Sequence, residues 1–396
     1  MKQIDTKRIL YIGGFELPDK NAAAQRVIAN AKIWKSLGYS VFLVGTDKTK
    51  SKEIKIKDTK FEYESFTCYS ISYPISLTSW LIYLTSIKSI IELEEIQPSH
   101  IVAYNYPAFA LFRLKQYCAS KNIILLADCT EWYEATEGNF AFRFIKGLDV
   151  YFRMNVLHPK IDGLIVISQY LYNYYASKNK NVIILPPLVD LTMDKWKQNS
   201  NIDRENIEIV YAGSPGSGHK DRIDKIIKAL FIIEKSIDRN IKFIVLGLTK
   251  ENYLEAFGPD SFHNSMNDIV TFKGRVPHTE ALKIISNADY EIFFRDNNLT
   301  NTAGFPTKFV ESISCGTPVL TNLSSNIEDY LIDGKNGFMI DLSSPHAIES
   351  TLLHALKLEM NQIKEMKSYC RNSMVFDYPK FVDRFKLFLD KLHLKK

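Results

Sequence analysis

Cysteines are few in this chain, and they are widely spaced. Cys68, Cys118, Cys129, Cys315 and Cys370 form no C-x-x-C pair and no other ligand spacing. An odd, scattered set of this kind predicts reduced thiols in a cytosolic compartment and excludes a disulfide framework. The eight histidines include no H-x-x-x-H or H-x-H pair, so a metal site has no support. No apolar run approaches the ~20 residues that span a bilayer. The opening MKQIDTKRILYIGG enters a strand pattern at once and lacks a signal-peptide core. No block of Lys and Arg dominates, and a net charge of +5 is too small to argue for nucleic acid. Low-complexity tracts and short internal repeats are also missing.

What remains is a folded α/β chain. Its 396 residues exceed one ordinary core, and 46% hydrophobic with 24% charged residues is the balance of a globular protein, so two domains are expected. RILYI at 8–12 reads as a buried strand ending at Gly13-Gly14. A helix follows from Ala22 to Leu37, with Asn21 as cap and Gly38 as stop. SVFLVG, HIVAY, NIILLAD, DGLIVIS and NVIILPP read as further strands, with helices near 78–97 and 108–120 between them. After Pro186-Pro187 the pattern restarts: IEIVYAG, KFIVLG, DIVTFKG and YEIFF are strands, DRIDKIIKALFIIEKS and TEALKIISN helices. Strand–helix alternation of this kind predicts two doubly wound parallel sheets, 1–187 and 188–370, with a C-terminal helical segment 371–396 packing back on the body. Ligands of such sheets bind beyond the strand C-terminal ends, so a cleft between the two halves is expected.

The stretch GFPTKFVESISCGTPVLTN, 304–322, carries the chemistry. Pro306 suits the first turn of a helix, Gly316 its stop, and Val319-Leu320-Thr321 a short buried strand. Lys308 and Glu311, three apart, share a face. Yet Lys308 lies in the first turn, where the helix dipole disfavours a cation by roughly 0.3–1 kcal/mol. A lysine held there implies an anion beside it. Glycine turns follow strands at Gly13-Gly14 and at Gly213, Gly216 and Gly218, where a backbone can approach a phosphate; either turn alone is equally well a tight strand-to-helix connection. Lys220, Arg295 and Lys308 all fall at strand ends or helix starts, so the fold would gather them to grip a diphosphate. The plainer reading is three solvated surface charges.

In their order, YAGSPGSGHKDRIDKIIKAL, VTFKGRV, FPTKFVESISCGTPVLTN and LIDGKNGFMIDLSSPHAI resemble family-4-type retaining glycosyltransferases of the GT-B fold, of the kind that build bacterial polysaccharide and lipopolysaccharide. NAAAQRVIANAKIWKSLGYSVFLVG, DGLIVISQYL and VIILPPLVD are similar to the N-terminal half and linker of the same enzymes. The resemblance is tightest over 209–342 and looser before Ile161. It implies that Glu311 binds the donor ribose and Lys220 the donor diphosphate, which Gly13 and Gly14 face from the N-terminal domain. Arg275 and Val276 would meet the base. Gly213, Ser214, Gly304, Phe305, Pro306, Thr307 and Lys308 would line the sugar and phosphates. Two positions depart from the family. Ala303 replaces a glutamate that touches the transferred sugar, and Ser214 replaces an arginine. Arg295 and Lys308 are read as supplying the missing cation.

LLADCTEWYE, 125–134, ends a strand in the first half. Asp128 or Glu131 could orient the acceptor hydroxyl, with Glu134 nearby; the alternative is a strand-end aspartate capping the next helix. Retaining transfer of this type implies no protein nucleophile, because a donor phosphate oxygen takes the acceptor proton. In NFAFRFIKGLDVYFRMNVLHPK, 139–160, Arg143, Lys146, Asp149 and Arg153 share one helical face. Phe140, Phe144, Ile145, Leu148, Tyr151 and Phe152 cover the rest, in a chain already rich in Tyr (21) and Phe (24). A basic, aromatic helix suits a membrane interface over 139–157, or a packed position between domains.

The sequence thus predicts a cytoplasmic glycosyltransferase, peripheral on the inner face of the plasma membrane. It would move a sugar from a nucleotide-diphosphate donor to a glycan or lipid-linked glycan, without metal or cofactor and without nucleic acid. Asp128, Glu131, Lys308 and Glu311 form the catalytic set. Replacing Glu311 or Lys308 by alanine is expected to abolish transfer and leave the fold intact. The alternatives are a nucleotide-sugar 2-epimerase of the same fold and a binding subunit that has lost its chemistry.

Overall fold

The strand–helix alternation forms two parallel sheets in the computed structural model, which describes residues 7–18, 20–49, 56–74, 96–132, 139–197, 206–213 and 220–394. The chain divides into two units: Met1–Leu188 with Tyr378–Lys396, and Val189–Asp377. In unit 1 the strands are β1 (Arg8–Gly13), β2 (Ser40–Asp47), β3 (Phe61–Tyr63), β4 (Phe66–Ser72), β5 (His100–Tyr104), β6 (Ile124–Cys129), β7 (Gly163–Val166) and β8 (Val182–Ile184). They pair in the order β3-β4-β2-β1-β5-β6-β7-β8, all parallel except the β3–β4 hairpin at the edge. The helices are α1 (Ala22–Ser36), α2 (Ala108–Lys121), α3 (Phe140–Tyr151) and α4 (Gln169–Ala176). Asn21 caps α1, its side chain accepting the Ala24 N–H at 2.9 Å, and Gly38 follows the helix at φ +84°. The helix expected near 78–97 falls almost wholly outside the described residues.

Unit 2 contains β9 (Ile207–Ala212), β10 (Ile241–Leu246), β11 (Val270–Gly274), β12 (Tyr290–Phe293), β13 (Val319–Thr321) and β14 (Gly337–Met339), ordered β11-β10-β9-β12-β13-β14 and all parallel. Counted within the unit this is 3-2-1-4-5-6, the doubly wound order, whose switch point lies between β9 and β12. Its helices are α5 (Ile223–Ile233), α6 (Lys250–Phe257), α7 (His278–Asn287), α8 (Leu299–Ala303), α9 (Thr307–Cys315), α10 (Pro345–Leu356) and α11 (Met360–Ser373). The central strands β9 and β12 are mostly apolar and mostly buried, as a sheet covered on both faces requires, with Glu291 of β12 a buried acid among them.

The end of the chain returns to unit 1. A short turn at Tyr378–Phe381 leads into α12 (Val382–His393), whose Phe385, Phe388, Leu389 and Leu392 join the core of β1, β2, β5, β6 and α1. Trp34 of α1 meets Phe385 edge-on at 4.9 Å. Gly163 stands where a Cβ would lie 3.0 Å from Phe388, so its missing side chain admits α12 against β7. The segment that leaves unit 2 begins at Tyr378, not at residue 371: residues 371–373 complete α11.

Candidate functional site

The switch point of unit 2 collects a charge cluster. β9 ends at Ala212, and Gly213 follows at φ +154° with its N–H donated to Leu246 O at 3.1 Å. A Cβ on Gly213 would lie 2.9 Å from Lys308 Nζ. Gly247, after β10, has φ +89°, and a Cβ there would lie 2.3 Å from Gly213 O. Two glycines therefore let two strand ends pass closely and leave room for a lysine above them.

Asp221 is the hub. It is buried and pairs by an isolated bridge with Arg295, just beyond β12. Its Oδ1 accepts from Arg295 Nε at 3.0 Å, its Oδ2 from Tyr211 Oη at 2.8 Å and from Lys308 Nζ in a short ion pair. Burial alone would raise the Asp221 carboxyl, but Lys308 and Arg295 overcome it and hold the group below the usual carboxylate range. Burial pulls the Lys308 ammonium below the ordinary lysine value, and Asp221 opposes that shift. The ammonium also lies 4.1 Å from the Tyr211 ring centre and 5.4 Å from that of Phe293.

This answers the question posed by a lysine in a helix first turn. The anion beside Lys308 is Asp221, an internal one. Lys308 and Arg295 are therefore not solvated surface charges, and neither is an unpaired cation. Two cations on one carboxylate leave one positive charge over. They stand beside the start of α9, where Pro306 is the N-cap (φ −73°, ψ 112°), one residue before the first turn in which the sequence places it. No side chain caps this helix, and the N–H groups of Phe305, Thr307 and Lys308 have no acceptor among the described residues. Phe305 is buried among Tyr330 and Phe376, at 5.5 and 6.1 Å between ring centres, which fixes the turn Gly304–Thr307.

One turn further on, Glu311 Oε1 lies 3.2 Å from Nε2 of His278, the first residue of α7. Trp196 sits edge-on to that imidazole at 6.4 Å. Exposed Arg275 and half-buried Val276 immediately precede this helix, and Lys220 is half-buried next to Asp221. Below Lys308, on β12, Glu291 is fully buried, with Ser312 and the Ala212 backbone beside its carboxyl. Burial, with the charge of Glu311 adding to it, pushes this carboxyl well above its ordinary value despite Lys308. Burial thus favours the protonated form of this acid beneath the cluster.

Ser214, Gly216, Gly218 and Glu134 lie outside the described residues. Ala303 is fully buried at the end of α8, so the position where the family carries glutamate packs against protein here. Sequence reasoning missed Asp221, His278 and Glu291. Asp221 was adjacent to Lys220 in HKDRID, and its charge beside two expected phosphate-binding cations was the available signal. The other two carry none, because only the sheet and helix packing brings them to Glu311 and Lys308.

In unit 1, Asp128 requires a correction. It is fully buried, and its carboxylate takes Arg26 Nη2 at 2.7 Å and Nε at 3.0–3.1 Å, a short hydrogen bond from Tyr11, and Asn30 at 3.4 Å. Arg26 Nη1 then donates to Leu185 O and Pro186 O at 2.8 and 3.1 Å. With its oxygens committed to this buried lattice, Asp128 neither orients an acceptor nor caps a helix. Glu131, the other candidate carboxylate of this stretch among the described residues, is half-buried in the loop after β6. Gly13 is buried at the end of β1, where a Cβ would lie 2.5 Å from Tyr104 O, so strand packing alone requires it. Gly14 is exposed in the turn that follows.

Comparison with known proteins bears on unit 2. Residues 192–373 match the family Glycosyl transferases group 1. Unit 2 is similar to this family of transferases. The group 1 match spans nearly all of unit 2 and includes Asp221, Arg295, Lys308 and Glu311. An uncharacterized glycosyltransferase of Methanocaldococcus jannaschii, MJ1069, is 22% identical over 177 residues, 43% of this chain and 42% of that protein. The match thus spans less than half of that relative's length. Among solved structures, sucrose-phosphate synthase from Thermosynechococcus elongatus superposes with a TM-score of 0.69 at 12% identity, covering 98% of this chain and 99% of that one. Anabaena HepE, solved in complex with UDP, gives 0.67 at 12% identity over 97% and 100%. The fold is GT-B.

Proposed function

We propose that this chain is a retaining glycosyltransferase that takes its sugar from a nucleotide-diphosphate donor held by unit 2. The observation that carries this reading is the start of α9. Uncapped N–H groups at Phe305, Thr307 and Lys308 adjoin two cations pinned on Asp221, at the switch point of a group 1 unit. Such an arrangement suits a diphosphate, whose charge grows as the sugar departs. HepE, of the same fold, binds UDP, which agrees with this class of donor. Glu311, steadied by His278, would accept the ribose hydroxyls, and Arg275-Val276 would line the base.

In the proposed reaction the bond from the anomeric carbon to the diphosphate breaks, and an acceptor oxygen forms its bond on the same face. The acceptor proton passes to the departing phosphate oxygen. The task of this chain is then positional and electrostatic: Arg295, Lys308, Lys220 and the α9 amides hold the leaving group, with no metal or cofactor in the scheme. Glu131 is the candidate to orient the acceptor, a hydroxyl of a glycan or lipid-linked glycan in cell-surface polysaccharide synthesis at the cytoplasmic side of the membrane.

A thermal-shift panel of nucleoside diphosphates and nucleotide sugars tests the donor, since a bound ligand stabilises by mass action. Glu311→Ala is expected to weaken the preferred donor by on the order of tenfold to a hundredfold and to abolish transfer, with the unfolding midpoint of the free protein little changed. Unaltered donor affinity in that variant would remove the assignment.

A further inference from the structure

β12 runs through the middle of the unit 2 sheet, between β9 and β13, and there it carries an acid. Glu291 is 0% exposed, on a strand whose two faces are both covered. Its side of the strand is fixed. Successive side chains of a strand alternate between faces, so Glu291 shares a face with Phe293, whose ring centre lies 5.4 Å from Lys308 Nζ. α9 covers that face. Lys308, Ser312 and Cys315, at spacings of four and three, are all buried, and Ser312 and the Ala212 backbone stand beside the Glu291 carboxyl. Lys308 gives its ammonium to Asp221 and not to Glu291.

The titratable groups facing this carboxyl come from α9 and β9. α9 brings Lys308, Glu311 and Cys315, and β9 brings Tyr211. Behind them stand Asp221 and Arg295 on the side of Lys308, His278 on Glu311, and Lys367 and Arg371 of α11 towards Cys315. Burial pushes the Tyr211 hydroxyl and the Cys315 thiol well up, so neither ionises near neutrality. The charge of the cluster then turns on one proton. Lys308 and Arg295 against Asp221 leave one positive charge over at the start of α9. A protonated Glu291 keeps that surplus. An ionised one, beneath Lys308 and shielded from water, cancels it.

We propose that Glu291 is a positioning residue that acts through Lys308: the cluster takes a dianionic diphosphate together with a proton on Glu291, drawn from solvent where the free protein lacks it. This deepens the donor-site reading above and rests on it. Linkage is reciprocal, so a diphosphate that prefers the protonated protein also makes it hold the proton more tightly. Burial raises this carboxyl, so affinity is lost above the ordinary glutamate range, in neutral to weakly alkaline solution.

Titration calorimetry of the full chain with UDP-glucose and with GDP-mannose, repeated from about pH 6 to about pH 8.5, tests it. The diphosphate of either probe keeps both charges over this range. Wild-type affinity is expected to hold at the acid end and then to fall by up to about tenfold per pH unit, the slope of one linked proton. Glu291→Gln should match the wild type at the acid end and keep that affinity throughout. Glu291→Met, apolar and of similar length, should do the same and replaces the amide variant should that one not fold. Both variants retain Lys308, Glu311 and His278, so a pH dependence that persists in them belongs to those groups and overturns the proposal. A flat wild-type profile overturns it too. So does weaker binding by both variants at the acid end, which a merely structural role would produce. Failure to bind either probe at any pH removes the donor-site reading and the proposal with it, whereas tight binding with a flat profile removes the proposal alone.

Discussion

Asp221 shows how much one buried residue organises. It neutralises part of two cations, receives a tyrosine hydroxyl, and lies at the end of a bridge that ties the loop after β9 to the loop after β12. Removing one partner of a buried pair leaves an uncompensated charge, which costs far more than the pair contributes. Asp221→Asn is therefore expected to destabilise the protein by about 3–5 kcal/mol, read by urea unfolding at neutral pH. Its folded carboxyl is depressed, so the stability it provides is present above the ordinary aspartate range and is lost as pH falls through the depressed value; the variant should lack that acid-dependent loss. A change of less than about 1 kcal/mol would mean that the pair is surface-like. The same reasoning revises the expectation for Lys308. Lys308→Ala strips Asp221 of one of its two cations, so lost transfer in that variant would report on folding as well as on donor binding.

At the scale of elements, β12 carries an acid where a central parallel strand should be apolar. Glu291 lies between β9 and β13, fully buried. Its carboxyl is raised, so the folded protein keeps a proton that the unfolded chain loses above about pH 4.3. The stability tied to that proton is fully present below the ordinary glutamate range and declines as pH rises toward the raised value. Glu291→Gln keeps the shape and removes the titration. The variant should be the more stable of the two at pH 8, with a flatter pH profile between weakly acidic and weakly alkaline solution. Parallel profiles for both proteins would show that Glu291 is ionised in the fold. The strand ends tell a related story. Gly213 and Gly247 are legible as turn glycines, but the sequence does not say which neighbour they make way for. One accommodates Lys308, the other the backbone of Gly213 itself.

At the scale of the molecule, the last helix belongs to the first unit. Phe385, Phe388, Leu389 and Leu392 are buried in a core built from β1, β2, β5, β6 and α1. Four such side chains at about 1.5 kcal/mol or more each represent a large share of the stability of an ordinary domain. Truncation after Asp377 is thus expected to unfold unit 1, seen as loss of a cooperative transition in calorimetry, while a transition stabilised by the preferred nucleotide persists for unit 2. An unchanged melting profile would mean that α12 contributes little. The amphipathic pattern of α12 is plain in the sequence; the core it completes is not, because its partners lie more than 180 residues away.

Periodicity alone determined most of the secondary structure. Apolar runs bounded by Gly, Pro and capping residues are local signals, and they placed most of the parallel strands and helices α1, α2, α5, α7 and α9 close to where they form, but not α10 or α11. The short edge hairpin β3–β4 and the three-residue β14 gave no such signal. Residue type also singled out Lys308 and Arg295, which share Asp221 in the fold, and Glu311, which pairs with His278. Tertiary structure alone decided what those charges do. It put Asp221 between two cations, His278 against Glu311 and Arg26 on Asp128, turning one supposed acceptor carboxylate into a buried strut. Charge pairing depends on distances of a few ångströms between residues tens of positions apart, and chain order carries no record of them until the sheet sets its strand order.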